Sequence, residues 1–316
     1  MLSSIWDDIK RQYNYGDVVT RIIIVNVAVF VVINLLKVFL HHGNGGTTPG
    51  IYMDLRNFFC MSSDPYFFIT HPWGMFTHMF MHEGFMHILF NMLFLYWFGR
   101  IVEDLVGNKR ILPLFLLGGL SGAALYFISA NLLPPEFYKM GKFALGASGG
   151  VMAVVVGAGV LAPDRSLRLI LIGDVKLKYI VAAIFFIDLI GTAGEVNTGG
   201  HFAHIGGALF GWFFIASLKK GDDLSEPVNN TIDKLSGFFN NVFKGNKDKK
   251  RHRPKVVYRN KDKNFKRKKP NASSDTEESL SHQGMLDAIL DKIKEDGYES
   301  LSDAEKEFLF KASNKK

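Results

Sequence analysis

Six apolar stretches, at roughly residues 19–40, 84–106, 111–132, 147–163, 177–192 and 201–218, constrain the fold of this chain more than any other feature. Each approaches the ~20 mostly apolar residues that a helix needs to cross the hydrocarbon of a bilayer. The excess is concentrated there: the 316 residues are 48% hydrophobic although a long polar tail dilutes the figure. The sequence therefore predicts an all-α polytopic membrane protein of six transmembrane helices, the fifth being the weakest. Met1 to Val18 carry acids beside Lys10 and lack a small-residue cleavage site, so the N-terminal segment 1–18 and the span after it are expected to be retained, not removed as a signal peptide. Cys60 is the only cysteine, which excludes an intramolecular disulfide and a Cys-rich metal site.

Lys and Arg near the span ends set the expected orientation, because short positive loops stay in the cytoplasm. With the N-terminus inside, the inner side holds twelve, from Lys10 and Arg11 to Lys219 and Lys220, and the outer side only Lys37, Arg56, Lys139 and Lys142. Both termini are thus expected in the cytoplasm. The second, fourth and sixth spans then run inward, and their first turns gather near the outer face. Those turns carry His87, Ser148 and His204. Polar groups inside a membrane are costly, which makes them candidates for function.

His87 and Asn91 are four residues apart and project from one helical face. Alone, they read as interhelical glue worth about 1 kcal/mol or less each. Gly149, Ala153 and Gly157 form a smooth stripe on the fourth span, and Ala203, Gly207 and Gly211 form another on the sixth. Small residues let membrane helices approach closely. If the stripes face each other, Ser148 and His204, each one residue from its stripe, come together. A serine hydroxyl is a weak nucleophile until a neutral imidazole within reach takes its proton. No acid stands at a plausible position to complete a triad, and Asp188, in the fifth span, is expected to pack through hydrogen bonds rather than to orient His204. A tetrahedral oxyanion needs donors, which Asn91, His87 and the Ser148 backbone N–H could supply at a helix N-terminus.

Gly146-Ala147-Ser148-Gly149 resembles the Gly-x-Ser-Gly nucleophile motif of the rhomboid family of intramembrane serine proteases. His87-x-x-x-Asn91 is similar to that family's second-span pair, and Gly199-x-x-x-Ala203-His204-x-x-Gly207 to its sixth-span motif. The resemblance implies a rhomboid-like bundle in which Ser148 is nucleophile, His204 general base, and His87 and Asn91 oxyanion donors. Gly146, Gly149 and Gly207 would pack the helices at the site. Thr77-His78, Met81-His82 and Gly99-x-x-x-Glu103 also match, so that the likeness covers roughly residues 15–218. Two positions depart from the pattern: Met152 stands where well-studied bacterial members place an aromatic ring under the imidazole, and Gly74 follows Trp73 where some have Arg.

Six histidines, His71, His78, His82, His87, His201 and His204, lie on or near the outer side. His82 and His87 resemble a zinc-protease motif but are one residue too far apart; five residues rotate the second ring by about 140°. No metal or cofactor is therefore expected. His78 and His82 are expected to hydrogen-bond the loop between the first two spans, and His71 and His201 to lie at its wet margin. Peptide hydrolysis needs water, so the polar residues must line a cavity open to one side. Phe185, Phe186 and Ile190 of the fifth span are candidates for a lateral gate, or are ordinary lipid-facing residues. The segment 41–83 is expected to lie partly in the interface.

After Lys220 the composition changes. Residues 244–269 contain fourteen Lys or Arg, expected either to remain disordered or to bind anionic lipid at about 1 kcal/mol per basic residue. Nucleic acid is not an expected partner, because no aromatic platform or recognisable module accompanies the charge. Met285, Leu286, Ile289, Leu290 and Ile293 recur with helical period up to Gly297, and Ser302-Asp303-Ala304-Glu305 is a capping box opening a second short helix with Phe308 and Leu309. Four regions are expected: 1–18, a six-span domain at 19–218, a polybasic linker at 219–281 and a small helical module at 282–316, which buries little by itself and is expected to dock on a protein partner or on another copy of the chain. The function expected is cleavage of single-span transmembrane proteins near the outer face of a bacterial inner membrane. The alternative is a non-catalytic rhomboid-like adaptor that binds transmembrane helices.

Overall fold

A computed structural model describes residues 2–134, 141–169, 172–193, 197–243, 285–294 and 298–313. The chain divides into two compact units, Met1–Lys247 and Asp248–Lys316. The first opens with the amphipathic helix α1 (Leu2–Tyr15), followed by α2 (Val18–Gly43), which Asp17 caps by accepting the Thr20 N–H at 2.7 Å. Then come α3 (Gly50–Phe59), β1 (Met61–Ser62), α4 (Pro65–Thr70) and α5 (Gly74–Thr77). The bundle continues with α6 (Phe85–Val106), α7 (Ile111–Leu132), β2 (Phe143–Ala144), α8 (Ser148–Leu161), β3 (Ser166–Leu169), β4 (Gly173–Lys176), α9 (Leu177–Gly191), α10 (Thr198–Lys220) and α11 (Ser225–Phe243).

Among the described residues, four helices are long and apolar enough to cross a membrane: α2, α6, α7 with the turn before it, and α10. The fourth and fifth expected spans are shorter, with 14 residues in α8 and 15 in α9. Pro163 accounts for the early end of α8, since the residue before a proline is pushed out of the α region and Ala162 sits at φ −133°. A helix that is apolar all round has to be buried, and ten residues of α8 between Gly149 and Gly159 are buried. It is the central post of the bundle.

Small residues bring its neighbours close. A Cβ built on Gly207 would stand 1.9 Å from the Gly149 carbonyl oxygen, and one on Gly211 2.2 Å from that of Ala153. The glycine and alanine stripes of α8 and α10 therefore meet face to face, the two helices running in the same direction. On α7, Gly118 packs against Ala153 and Gly122 against Ala203 and Gly149, so that α7 runs opposite to both. Gly99 of α6 admits Val19 of α2, where an added Cβ would stand 2.9 Å from a valine methyl. That crossing is tied at its polar end by Arg100, 2.7 Å from Asp17 and 3.3 Å from Glu103.

The segment between α2 and α6 is folded, not a simple linker. Strand β1 pairs antiparallel with β2, Met61 opposite Ala144, and so joins this segment to the chain that leads into α8. With Gly74 after Trp73, the anchoring falls to other groups: the Trp73 indole N–H donates to Phe58 O at 2.7 Å, the Thr77 hydroxyl donates to Phe59 O at 2.7 Å, and Arg56 pairs with Glu83 at 2.8 Å. A side chain is excluded at Gly74, where a Cβ would lie 2.5 Å from Cys60 O.

The expected linker at 219–281 begins differently. Residues 225–243 form α11, whose apolar residues Val228, Ile232, Leu235 and Phe238 recur at helical spacing within an Asn- and Ser-rich sequence. Asp223 holds its start, accepting from the Ser225 N–H at 3.0 Å and from Arg110 Nε at 2.9 Å. The basic run at 244–269, the segment at 271–281 and Gly297 lie outside the described residues. In the second unit, α12 spans residues 285–294 and α13 spans Asp303–Ser313. The capping box is formed: Glu305 accepts from the Ser302 N–H at 2.7 Å, its own N–H donates to Ser302 Oγ at 3.4 Å, and Lys292 of α12 reaches it at 3.0 Å.

Candidate active site

The N-terminal turns of α6, α8 and α10, the first two or three of each, surround one cavity of about 450 Å³, closed on a fourth side by α9. His87, Asn91, Ser148, Met152, Asp188, Asn197 and His204 all line it. Ser148 is the first residue of α8, held there by the chain before it. Gly146 has φ +123°, open to glycine without strain, and its N–H donates to His78 O at 2.9 Å. The next N–H, of Ala147, donates to His82 Nε2 at 3.3 Å. Burial, with the His87 ring beside it, pushes the His82 pKa down to about 3, so the ring stays neutral and keeps the lone pair that accepts this bond.

A Cβ on Gly146 would fall 2.7 Å from His87 Nε2 and 3.8 Å from Ser148 Oγ. The imidazole of α6 and the hydroxyl of α8 thus flank the same glycine, and the missing methyl is what lets them share that space. Asn91 donates to His87 O at 2.8 Å, which leaves its second N–H for the cavity. The Ser148 N–H lies at the start of a helix, where backbone donors have no intrahelical partner. Met152, one turn below Ser148, is buried.

Asp188 corrects the sequence-based expectation. Its Oδ1 lies 2.7 Å from His204 Nδ1, so the acid does orient His204. The same oxygen lies 2.8 Å from His201 Nδ1, so the partly exposed His201 also belongs to the hydrogen-bonded group. Only Leu177, Val181 and Asp188 of α9 are buried, and the acid is the one polar residue among them. The signal was available: an acid in an apolar helix has to be paired, and His201 and His204, three residues apart, share a helical face. The three atoms lie within 4.8 Å of one another, close enough for a divalent ion. Two N–H···O bonds already account for their positions, and liganding through Nδ1 would require both protons to leave.

The remaining histidines also differ in part. His78 is buried and bonds Gly74 O at 2.9 Å, within the segment between the first two spans. His82 instead supports the chain entering α8. His71 is half-buried and stacks on Phe67 at 4.0 Å.

Residues 70–220 match the model of the Rhomboid domain. Residues 70–220 are thus a rhomboid-family domain. Among curated relatives the chain is 28% identical to presenilin-associated rhomboid-like protein A, mitochondrial, of Danio rerio, over 43% of this chain and 35% of that one. It is 32% identical to RHOMBOID-like protein 12, mitochondrial, of Arabidopsis thaliana, over 46% of each chain. Rhomboid protease GluP of Bacillus subtilis (strain 168) is 25% identical over 60% of this chain and 34% of its own. The matched part thus spans about a third to a half of these relatives' length. Residues 276–315, which include both helices of the second unit, match a family of unknown function.

Proposed function

We propose that this protein is an intramembrane serine endopeptidase that cuts transmembrane segments through an acyl-enzyme on Ser148. The observation that carries it is the convergence of Ser148, His204, His87 and Asn91 on one cavity at the ends of three helices. With Nδ1 of His204 donating to Asp188, the neutral ring has its lone pair on Nε2. Nε2 takes the Ser148 proton as Oγ bonds to the scissile carbonyl carbon, and the carbonyl electrons move onto oxygen. His87, the free N–H of Asn91 and the Ser148 backbone N–H steady that oxyanion; one such donor is typically worth about 10²–10³ in rate. The C–N bond then breaks, the leaving amine receives the proton from Nε2, and water repeats the sequence to release the acid. Gly146, Gly149 and Gly207 act by letting these groups approach.

Six helices in the bilayer, with both termini cytoplasmic and the cavity opening outward, fit this chemistry; α8 and α9 would then span within the protein rather than against lipid. Substrates would be single-span proteins entering beside α9, where Phe186 and Ile190 are exposed. A bacterial inner membrane is the proposed location, with anionic lipid at the basic tail and a protein partner at the C-terminal helices. The test is to purify the chain and its Ser148→Ala variant and incubate each with a panel of transmembrane substrates and a fluorophosphonate probe. Cleavage and labelling by the parent, absent from the variant, are expected. Labelling that persists in the variant removes Ser148 from its role, and binding of helices without cleavage by the parent makes the protein an adaptor.

A further inference from the structure

Asp188 is the acid of the site, and its single oxygen Oδ1 serves two imidazoles at once, 2.7 Å from His204 and 2.8 Å from His201. We infer that Asp188 is a positioning residue that fixes the reactive tautomer of His204, and that His201 tempers it by sharing the same carboxylate oxygen. This deepens the proposed function and rests on it.

An ionised carboxylate accepts hydrogen bonds and donates none. Each imidazole must therefore present Nδ1–H to it. For His204 this leaves the lone pair on Nε2, the nitrogen that can face Ser148; for His201 it leaves the lone pair turned away from the acid. As His204 takes the serine proton and becomes cationic, Asp188 stabilises that charge at hydrogen-bond distance. The proton stays on the ring; the acid lends its field and a direction. His201 draws on the same oxygen, so part of the acid's charge is already engaged before His204 reacts. Removing the acid and removing the second imidazole should thus push the basicity of His204 in opposite directions.

Both donors are built into the fold. His201 and His204 lie in the first two turns of α10, and Asp188 in the last turn of α9. The His201 ring fills the space beside Gly191, where a Cβ would stand 2.5 Å from its Cε1. Glycine at 191 is what lets the second imidazole reach the acid. Among the described residues, the other titratable groups near Asp188 and His204 are few. His87 of α6 lines the same cavity, Glu83 before it is paired with Arg56 at 2.8 Å, and α8 brings no titratable group to this side, only Ser148, Val151 and Met152.

The test compares the parent with Asp188→Asn, Asp188→Glu and His201→Phe. A transmembrane peptide substrate is used in detergent and in liposomes, kcat and KM are measured across pH, and a melting curve is taken for each variant. Asp188→Asn should lower kcat by roughly 10²–10⁴-fold with little change in KM, because an amide presents either N–H or C=O to the ring and loses the charge. The acid limb of its kcat/KM profile should move down by about 1 pH unit. Asp188→Glu should recover part of the rate. His201→Phe keeps a ring beside Gly191 and should move the acid limb upward. Asp188→Asn with parental kcat and an unmoved limb overturns the inference, as do limbs that shift in the same direction in the Asn and Phe variants. If Asp188→Asn does not fold, the partial recovery in Asp188→Glu and the upward shift in His201→Phe decide it. A parent that cleaves nothing fails the proposed function itself, and a Ser148-dependent parent indifferent to these variants fails only the inference.

Discussion

The face-to-face contact of α8 and α10 gives a direct test of how tightly the site is held. In Gly207→Ala the added methyl would lie 1.9 Å from the Gly149 carbonyl oxygen, where ordinary contact begins at 3.4 Å. Backbone cannot rotate out of the way as a side chain can, so the helices must part by about 1.5 Å or slide. Overpacking of this kind costs about 1–3 kcal/mol, which for a unit of this size lowers the melting temperature by roughly 2–12 °C. The cost to activity should be larger. Ser148 and His204 each lie next to the stripes that would be forced apart, and a misplacement of about 1 Å can cost about 10²-fold in rate. Two controls calibrate the result. Gly157→Ala meets only Ile215 Cγ1 and Leu114 Cδ2, both at 3.3 Å, and those chain ends can give. Gly43→Ala meets nothing within 4 Å and should be neutral. Melting curves in detergent and initial cleavage rates are the assay, and the expected order of damage is Gly207 above Gly157 above Gly43. A Gly207→Ala protein that melts with the parent and cuts at the parental rate would refute the close packing.

Three further outcomes are expected. Gly146→Ala should reduce fluorophosphonate labelling of Ser148 at least tenfold, because it combines φ +123° with a methyl 2.7 Å from the His87 ring; labelling kinetics check this. Cys60 is buried, and burial pushes its pKa up to about 12, which leaves on the order of one thiolate in 10⁴–10⁵ at neutral pH; alkylation should be undetectable in the folded protein and rapid in denaturant. Burial pushes the Asp223 carboxyl up, but the Ser225 hydrogen bonds and the Arg110 guanidinium outweigh it and hold the group below 3.8. Its stabilisation is therefore complete above the ordinary aspartate value and lost as pH falls through the lowered folded value. Asp223→Asn should flatten that part of the acid side of a melting-temperature profile.

Long apolar windows made α2, α6, α7 and α10 legible, because a bilayer-length run has few other uses. The shorter α8 and α9 were legible as apolar helices but not as short ones: the effect of Pro163 on Ala162 is local and hides inside an otherwise continuous run. Helix α11 was missed because its seven apolar residues are interleaved with four asparagines, two serines and a glycine, so that no apolar run stands out. The small-residue stripes could be read from spacing alone, since nothing but close approach explains them. That Asp188 needed a partner was legible from an acid alone in an apolar helix, but that His201 and His204 share its one oxygen was not, because this joins two helices. The two-residue pairing of β1 with β2 left no period, and the support His82 gives to Ala147 connects positions 65 residues apart.

The brevity of α8 has a geometric corollary. Fourteen residues rise about 21 Å, against about 30 Å of hydrocarbon. Lys219, in the last turn of α10, reaches the Val160 carbonyl in the last turn of α8 at 2.6 Å, so the two helices finish level at that end. With that shared end set at the inner boundary, as the proposed six-span placement requires, the shortfall of about 9 Å falls above Ser148. For the activity proposed, that gap acts as a depth gauge: a peptide bond would be cut according to how far it sits beneath the membrane boundary, about six helical residues down, before any preference for particular side chains applies.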